Sequence, residues 1–252
     1  MKYIAIYALH PIMYQTPIFS ELQSRLKLDN KFRFKVLFGD DISIDESFYL
    51  KNDFITAPPP YLMEGYDYKI LKNWAFNRRK GFFSRVNLEI YRELKKGGYK
   101  GVIIHGYDNF SSWYTLIISK ILGLKVVWRG EAVLTGRKSK FSFKQKLKGV
   151  LLKWFFRQCN ALMYSCSGNK TYLKFYGAKK SQLFFIPCAV NNYFFQEESK
   201  KYLKQKLNIK KKLGIIDENL VVLFSARFTS RKRPMDLLNA IEKINHSNIS
   251  LL

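Results

Sequence analysis

Short apolar runs alternate with stretches of helical periodicity along the whole sequence, and that alternation argues for α/β units built on a parallel sheet. The runs predict strands over 2–8, 34–38, 101–104, 125–128, 161–164, 184–186 and 220–225. The periodic stretches predict helices over 18–27, 84–96, 111–122, 142–158, 169–176, 199–213 and 234–245. Pro234 suits the first turn of the last helix, where a missing N–H costs nothing. At 252 residues there is room for one large domain and part of another. A chain this long buries about 70% of its unfolded surface and needs no disulfide or metal to fold. The segment 187–198, with turn residues Asn191 and Asn192, reads as a crossover, so domains are expected over 1–190 and 191–252. The chain closes on N-I-S-L-L, which reads as the start of another buried strand. A lone strand and helix after the crossover do not close a core, so the second domain is expected to be truncated.

Charge is the next constraint. Lys and Arg number 44 against 19 Asp and Glu, a net charge of +25, and from Ala132 to Gln196 there is no acidic residue but 12 basic ones. Within that window Phe143, Leu147, Val150, Leu151, Trp154 and Phe155 recur at helical spacing, with Lys144, Lys146, Lys148, Lys153 and Arg157 around them. The stripe is expected to pack on the sheet, leaving the lysines as a solvated face. The alternative is docking on anionic lipid, at about 1 kcal/mol per basic residue near the surface. No helix-turn-helix, zinc-finger or RNP signature accompanies the charge, which excludes a recognisable nucleic-acid module. Cys159, Cys166 and Cys188 are odd in number and contain no C-x-x-C, consistent with a reducing compartment. The longest apolar run, 114–128, is broken by Lys120 and Lys125, and the N-terminus has no cleavage site of the signal-peptide kind, so a cytoplasmic location is expected.

Ligands of open parallel sheets sit beyond the carboxyl ends of the strands. Polar residues collect there: His10, Tyr14 and Gln15 after the first strand, Asp40 and Asp41 after the second, and His105 to Asp108 after the 101–104 strand. Arg129 and Glu131 follow the 125–128 strand, and Ser165, Cys166, Ser167, Gly168 and Asn169 follow the next. Singly these could be strand caps, an N-cap at Ser167 or an Arg129–Glu131 pair. Five polar endings on five strands point instead to a functional cleft. There is no G-x-G-x-x-G, P-loop or G-x-S-x-G, no metal-ligand spacing among His10, His105 and His246, and no Asp-x-Asp pair for a divalent ion. In V-V-L-F-S-A-R-F-T-S-R-K-R-P-M-D-L-L (221–238) a buried strand delivers Arg227, a loop delivers Lys232, and a helix follows at once. Two cations at a helix N-terminus suit a diphosphate.

This strand–Arg–loop–Lys–helix unit resembles the opening of the donor domain in retaining glycosyltransferases of family 4, which have the GT-B fold, so the resemblance implies a Rossmann-like, doubly wound parallel sheet followed by a truncated second Rossmann-like domain. Their pattern reads roughly G-R-L-x-x-x-K-G-x-x-x-L-x-x-A; Arg227 and Lys232 match, and the helix around Ala240, which carries Leu238, follows as in the family, while Ala226 and Arg233 stand where the family has glycine. F-F-I-P-C-A-V-N-N-Y-F-F (184–195) is similar to the family's approach to that domain, with Asn191 at a usual Asp. H-P-I-M-Y-Q-T-P-I-F-S-E-L (10–22), L-M-E-G-Y-D-Y (62–68), H-G-Y-D (105–108), R-G-E (129–131) and G-N-K-T-Y-L-K-F-Y-G (168–177) are similar to one branch of it. The family's Glu-x7-Glu has no counterpart: Glu218 and Glu242 each lack a glutamate eight positions on.

The resemblance implies transfer of a sugar from a nucleotide-sugar donor to a saccharide or lipid-linked acceptor, with retention, in cell-surface polysaccharide synthesis. It implies no cofactor and no metal. Arg227 and Lys232 would hold the donor diphosphate; Glu131 and Arg129 are the candidate catalytic pair. His10, Tyr14, Gln15, Glu64, Tyr66, His105, Asp108, Gly168 and Asn169 are candidate acceptor contacts. A reading from another class is a non-catalytic module that binds an anionic glycan or a membrane surface. No nucleic-acid partner is expected.

Overall fold

In the computed structural model, residues 1–29, 31–44, 60–78, 81–134, 143–226, 228–244, 246 and 248–252 are described. They form two compact units, Met1–Asn191 and Asn192–Leu252.

The first unit is built on seven parallel strands: β1 (Lys2–Ala8), β2 (Phe32–Phe38), β3 (Tyr68–Ile70), β4 (Gly101–His105), β5 (Lys125–Arg129), β6 (Ala161–Tyr164) and β7 (Leu183–Phe185). Their spatial order is β3-β2-β1-β4-β5-β6-β7. The chain winds outward from β1 to β3, returns to place β4 beside β1, then winds the other way to β7. The reversal lies between β1 and β4, where Ile4 pairs with Gly101 and Tyr7 with Ile104.

Side chains alternate across the sheet with a period of two. Ala5 and Tyr7 of β1, with Leu37, Val102, Ile104, Val126, Trp128 and Leu162, build the larger core. Over it lie α2 (Glu89–Lys96), α3 (Phe110–Ile121), α4 (Phe143–Gln158) and α5 (Ser167–Phe175). The intervening positions Ile6, Ala8, Phe34, Val36 and Phe38 face the other way and meet Phe19 of α1 (Thr16–Asp29) and Tyr66 in a smaller core. Helices on opposite faces follow from right-handed crossovers that run in opposite directions from the switch.

In the first unit the structure departs from the sequence reading in four places. The helix predicted over 84–96 begins only at Glu89, because the backbone at 86–87 is held elsewhere: Trp74 N–H donates to the Val86 carbonyl (3.0 Å), and Asn87 Nδ2 donates to the carbonyls of Gly39 (2.9 Å) and Lys72 (3.0 Å). Strand β3, three residues long, was not predicted; its neighbour is β2, through Val36–Tyr68 to Phe38–Ile70. The N-cap of α5 is Cys166, not Ser167: its sulfur accepts from the Asn169 N–H at 3.4 Å. Finally, α4 buries Leu152, Phe155 and Phe156, so of the predicted packing stripe only Phe155 enters the core. Phe143, Leu147, Val150, Leu151 and Trp154 are exposed.

The second unit contains α6 (Asn192–Leu203), α7 (Lys206–Lys212), β8 (Leu220–Val222), α8 (Pro234–Ile244) and β9 (Ile249–Leu251). The single helix predicted over 199–213 is broken at 204–205. β8 and β9 pair in parallel, Leu220 with Ile249 and Val222 with Leu251, as a β-α-β unit around α8. Lys210 is buried and its ammonium donates to the Asn219 carbonyl at 2.9 Å, tying α7 to the approach to β8.

Candidate functional site

The switch between β1 and β4 brings two histidines to the carboxyl edge of the sheet. His105 is the last residue of β4, beside Arg129 in register, and faces α1, where its ring lies 6.2 Å from that of Phe19. Burial pushes its pKa down to about 3, and the Arg129 charge adds to the effect. His10 follows β1, with Nδ1 3.2 Å from the Pro11 carbonyl oxygen. Burial lowers its pKa too, Arg85 adds to this, and the Pro11 carbonyl and Asp40 oppose it. Both imidazoles are therefore neutral at neutral pH and offer hydrogen bonds without charge.

Next to His105 the sheet edge gathers an ionisable group. Arg129 ends β5, and the chain bends at Gly130, where a Cβ would fall 2.3 Å from the Trp128 ring. Glu131 is exposed beyond the bend and accepts from the Cys188 thiol at 3.4 Å. Arg129 and Glu131 do not pair with each other. Tyr14, in the turn before α1, is within electrostatic reach of both: burial raises its phenol pKa, Glu131 raises it further and Arg129 pulls it back. Burial and then Glu131 raise the Cys188 thiol, while Ser165 and Arg129 oppose them. Tyr14, Arg129, Glu131, Ser165 and Cys188 thus come together from four segments of the chain. Cys188 was not among the candidates; only its place three residues past β7 hinted at it.

Other candidates turn out to build the scaffold. Tyr66 is 7% exposed, packs against Phe19 and Phe38, and donates to the Leu62 carbonyl at 2.5 Å; it is a core residue, not an acceptor contact. Asn169 is fully buried, donating to the Ala132 carbonyl (2.8 Å) and accepting from the Ser165 N–H (3.2 Å). Its amide is consumed in holding the loops after β5 and β6 together. Gly168 is exposed in the first turn of α5, with space for a Cβ only 3.3 Å from Val133. Gln15 closes the turn into α1, its N–H donating to the Ile12 carbonyl at 2.8 Å. Glu64 and Asp108 are exposed, and Asp108 accepts from Asn109 Nδ2 at 3.3 Å.

Sequence reasoning missed the polar network beneath this edge. Asp40, after β2, has no exposed side-chain surface. It accepts from Arg78 Nη2 (2.7 Å) and Nε (3.0 Å), Asn73 Nδ2 (2.7 Å) and the Ile42 N–H (2.9 Å), with Arg85 Nε 3.5 Å away. Burial alone would raise its pKa; the hydrogen bonds from Arg78 and Asn73 and the charge of Arg85 outweigh burial and hold it below the ordinary value. The Tyr7 hydroxyl donates towards Asn87 Oδ1 (3.3 Å) and Asn109 Oδ1 (3.4 Å), and Asn109 caps α3 by accepting from the Ser112 N–H at 3.1 Å. Asp41 also pairs with Arg78, so two aspartates offset two arginines in this network.

In the second unit Arg227 lies outside the described residues. Lys232 is exposed in the turn before α8, its N–H donating to the Thr229 carbonyl at 2.9 Å. Arg233, where the resembling family has glycine, adopts φ 55°, and its guanidinium pairs with Asp236. Pro234 opens α8. Among the described residues no three His, Cys, Asp or Glu side chains cluster as a metal set, and no helix is long and apolar enough to cross a membrane.

No family model and no curated protein matches the chain. Solved structures do. Anabaena HepE in complex with UDP and glucose is 14% identical, with a TM-score of 0.61 over 100% of this chain and 60% of that one. A glycosyltransferase from Rickettsia africae is 16% identical, with a TM-score of 0.59 over 99% of this chain and 59% of that one. The UDP-GlcNAc 2-epimerase from Neisseria meningitidis bound to UDP-GlcNAc is 13% identical, with a TM-score of 0.55 over 100% and 65%. The fold is therefore GT-B-like, and the chain spans about three fifths of the length of these structures.

Proposed function

We propose that the protein is a sugar-nucleotide-dependent glycosyltransferase of the retaining, family 4 kind, acting on a saccharide or lipid-linked glycan in cell-surface polysaccharide synthesis. The observation that carries this reading is the gathering of Tyr14, Arg129 and Glu131 beside the β1–β4 switch, in a fold shared with proteins that hold UDP and UDP-sugars. The first unit receives the acceptor. His10 and His105, uncharged at neutral pH, hydrogen-bond its hydroxyls; Glu131 orients the attacking hydroxyl, and Arg129 balances charge at the edge.

The donor belongs to the second unit in this reading. Arg227, Lys232 and the N-terminus of α8 hold the diphosphate. In the transfer the bond from the sugar carbon to the diphosphate oxygen breaks with its electron pair going to that oxygen, the bond from the same carbon to the acceptor oxygen forms, and the acceptor proton passes to the departing diphosphate oxygen. The negative charge that grows on the departing nucleoside diphosphate is met by the two cations, so the reading assigns no metal and no cofactor.

The test is sugar transfer and UDP release by the full-length protein with a panel of UDP-sugars. Arg227→Ala is expected to lower kcat by on the order of a hundredfold or more, as loss of a charge-stabilising group does. Near-native turnover in that variant would sink the assignment.

A further inference from the structure

Helix α4 carries two apolar faces, and the fold uses one. Leu152, Phe155 and Phe156 are at most 1% exposed and meet the sheet. Phe143 (80% exposed), Leu147 (51%), Val150 (66%) and Leu151 (46%) form a second ridge, while Trp154 beside them stacks on Trp113 of α3 with ring centroids 6.3 Å apart. At 3.6 residues per turn these four fall within an arc of roughly 100°, on nearly the opposite side of the helix. A surface helix has no need of such a ridge, and contiguous exposed apolar patches mark interaction sites.

The surroundings of the ridge say what covers it. Lys146, Lys153 and Arg157 line one flank and Lys148 lies on the other, all exposed. No acid occurs from 132 to 196, so nothing on α4, α5 or their connections offsets these cations. Bulky apolar side chains flanked by basic ones complement an anionic bilayer, with apolar groups entering the acyl boundary and the cationic groups at the phosphates. Protein partners with an apolar groove would not require the flanking charge.

Helix length fixes where the ridge sits. The 16 residues of α4 span about 24 Å, whereas β5 and β6, with 5 and 4 residues, span roughly 13–17 Å. α4 ends at Gln158, just before β6 begins at Ala161, so the surplus length projects at the carboxyl edge. That is the edge that carries Tyr14, Arg129 and Glu131.

The geometry points to a membrane-docking surface: the outward ridge of α4, with Lys146, Lys148, Lys153 and Arg157, seats the protein on an anionic lipid bilayer with the carboxyl-edge crevice next to the headgroups. The docking stands independently of any catalysis; that the crevice then meets a lipid-linked acceptor rests on the glycosyl-transfer reading.

The experiment is co-sedimentation of the full-length protein with mixed phosphatidylcholine–phosphatidylglycerol vesicles and with pure phosphatidylcholine vesicles. Binding is expected only to the anionic vesicles and should weaken with salt. Phe143→Ser/Leu147→Ser/Val150→Ser is expected to reduce it at least about tenfold, and Lys146→Glu/Lys153→Glu similarly. All these positions are exposed, so thermal unfolding of both variants should match the native chain. A stability defect in one leaves the other to decide. Absence of binding at low salt, or native-like binding by both variants, overturns the docking. So does a ridge-dependent dimer in light scattering without vesicle binding, which would make a second copy the occupant. None of these outcomes bears on sugar transfer from soluble donors, which is assayed separately.

Discussion

Asp40 shows what a single buried charge does here. Its four hydrogen bonds, from Arg78, Asn73 and the Ile42 N–H, hold the 71–78 loop behind the crevice, and an ion pair joins it to Arg85, whose side chain is only 9% exposed and has no other acid paired with it among the described residues. Asp40→Ala should destabilise the protein by about 3 kcal/mol in chemical denaturation, because removing one partner leaves a buried guanidinium uncompensated. Asp40→Asn, which keeps the shape and some of the hydrogen bonds, should cost less. His105 makes a second prediction. Its folded pKa of about 3 lies below the ordinary 6.5. Between these values the unfolded chain binds a proton that the folded chain does not, so stability is full above pH 6.5 and is lost as pH falls towards 3. His105→Asn should flatten that slope, by up to about 1.4 kcal/mol per pH unit, in thermal melts taken at successive pH values. His10, shifted the same way, keeps a smaller slope of the same sign in the variant.

At the scale of elements, the loops matter more than the strands they follow. Asn169 joins the loops after β5 and β6 through two buried hydrogen bonds. Asn169→Ala should cost about 2 kcal/mol, since both backbone partners are left unsatisfied, and protease susceptibility near Glu131 should rise. The turn before α8 is strained: Arg233 sits at φ 55°, a region that costs a side-chain-bearing residue about 1–2 kcal/mol. Arg233→Gly should therefore raise stability by up to about 1 kcal/mol, despite losing an exposed ion pair worth little; a lowered melting temperature would refute the strain. The strands were legible as short unbroken apolar runs because both faces of the sheet are covered by apolar cores, and the polar strand ends because they interrupt those runs. Less visible was anything decided by tertiary contacts. Asn87 and Arg85 look like the start of a helix until Gly39 and Asp40 claim them. β3 is too short for a period to show. In α4 the spacing revealed an apolar stripe but not that a second face, Leu152 and Phe156, would take the core.

At the scale of the whole molecule, α6 buries none of its residues, and the boundary between the two compact units falls at its start. Brief trypsin treatment should cut first at Lys200, Lys201 or Lys204 and leave a resistant piece beginning at Met1. Initial cleavage within β1–β7 would contradict the division. The sheet order carries a further consequence, one of time. β1 completes its pairing only when β4 arrives, and Ile4 and Gly101 are 101 − 4 = 97 residues apart. At a synthesis rate of about 5–20 residues per second, β1 waits roughly 5–20 seconds with one backbone hydrogen-bonding edge unpaired. A nascent chain in that interval is a natural client for a chaperone, and refolding from denaturant should be slow and sensitive to concentration for the same reason.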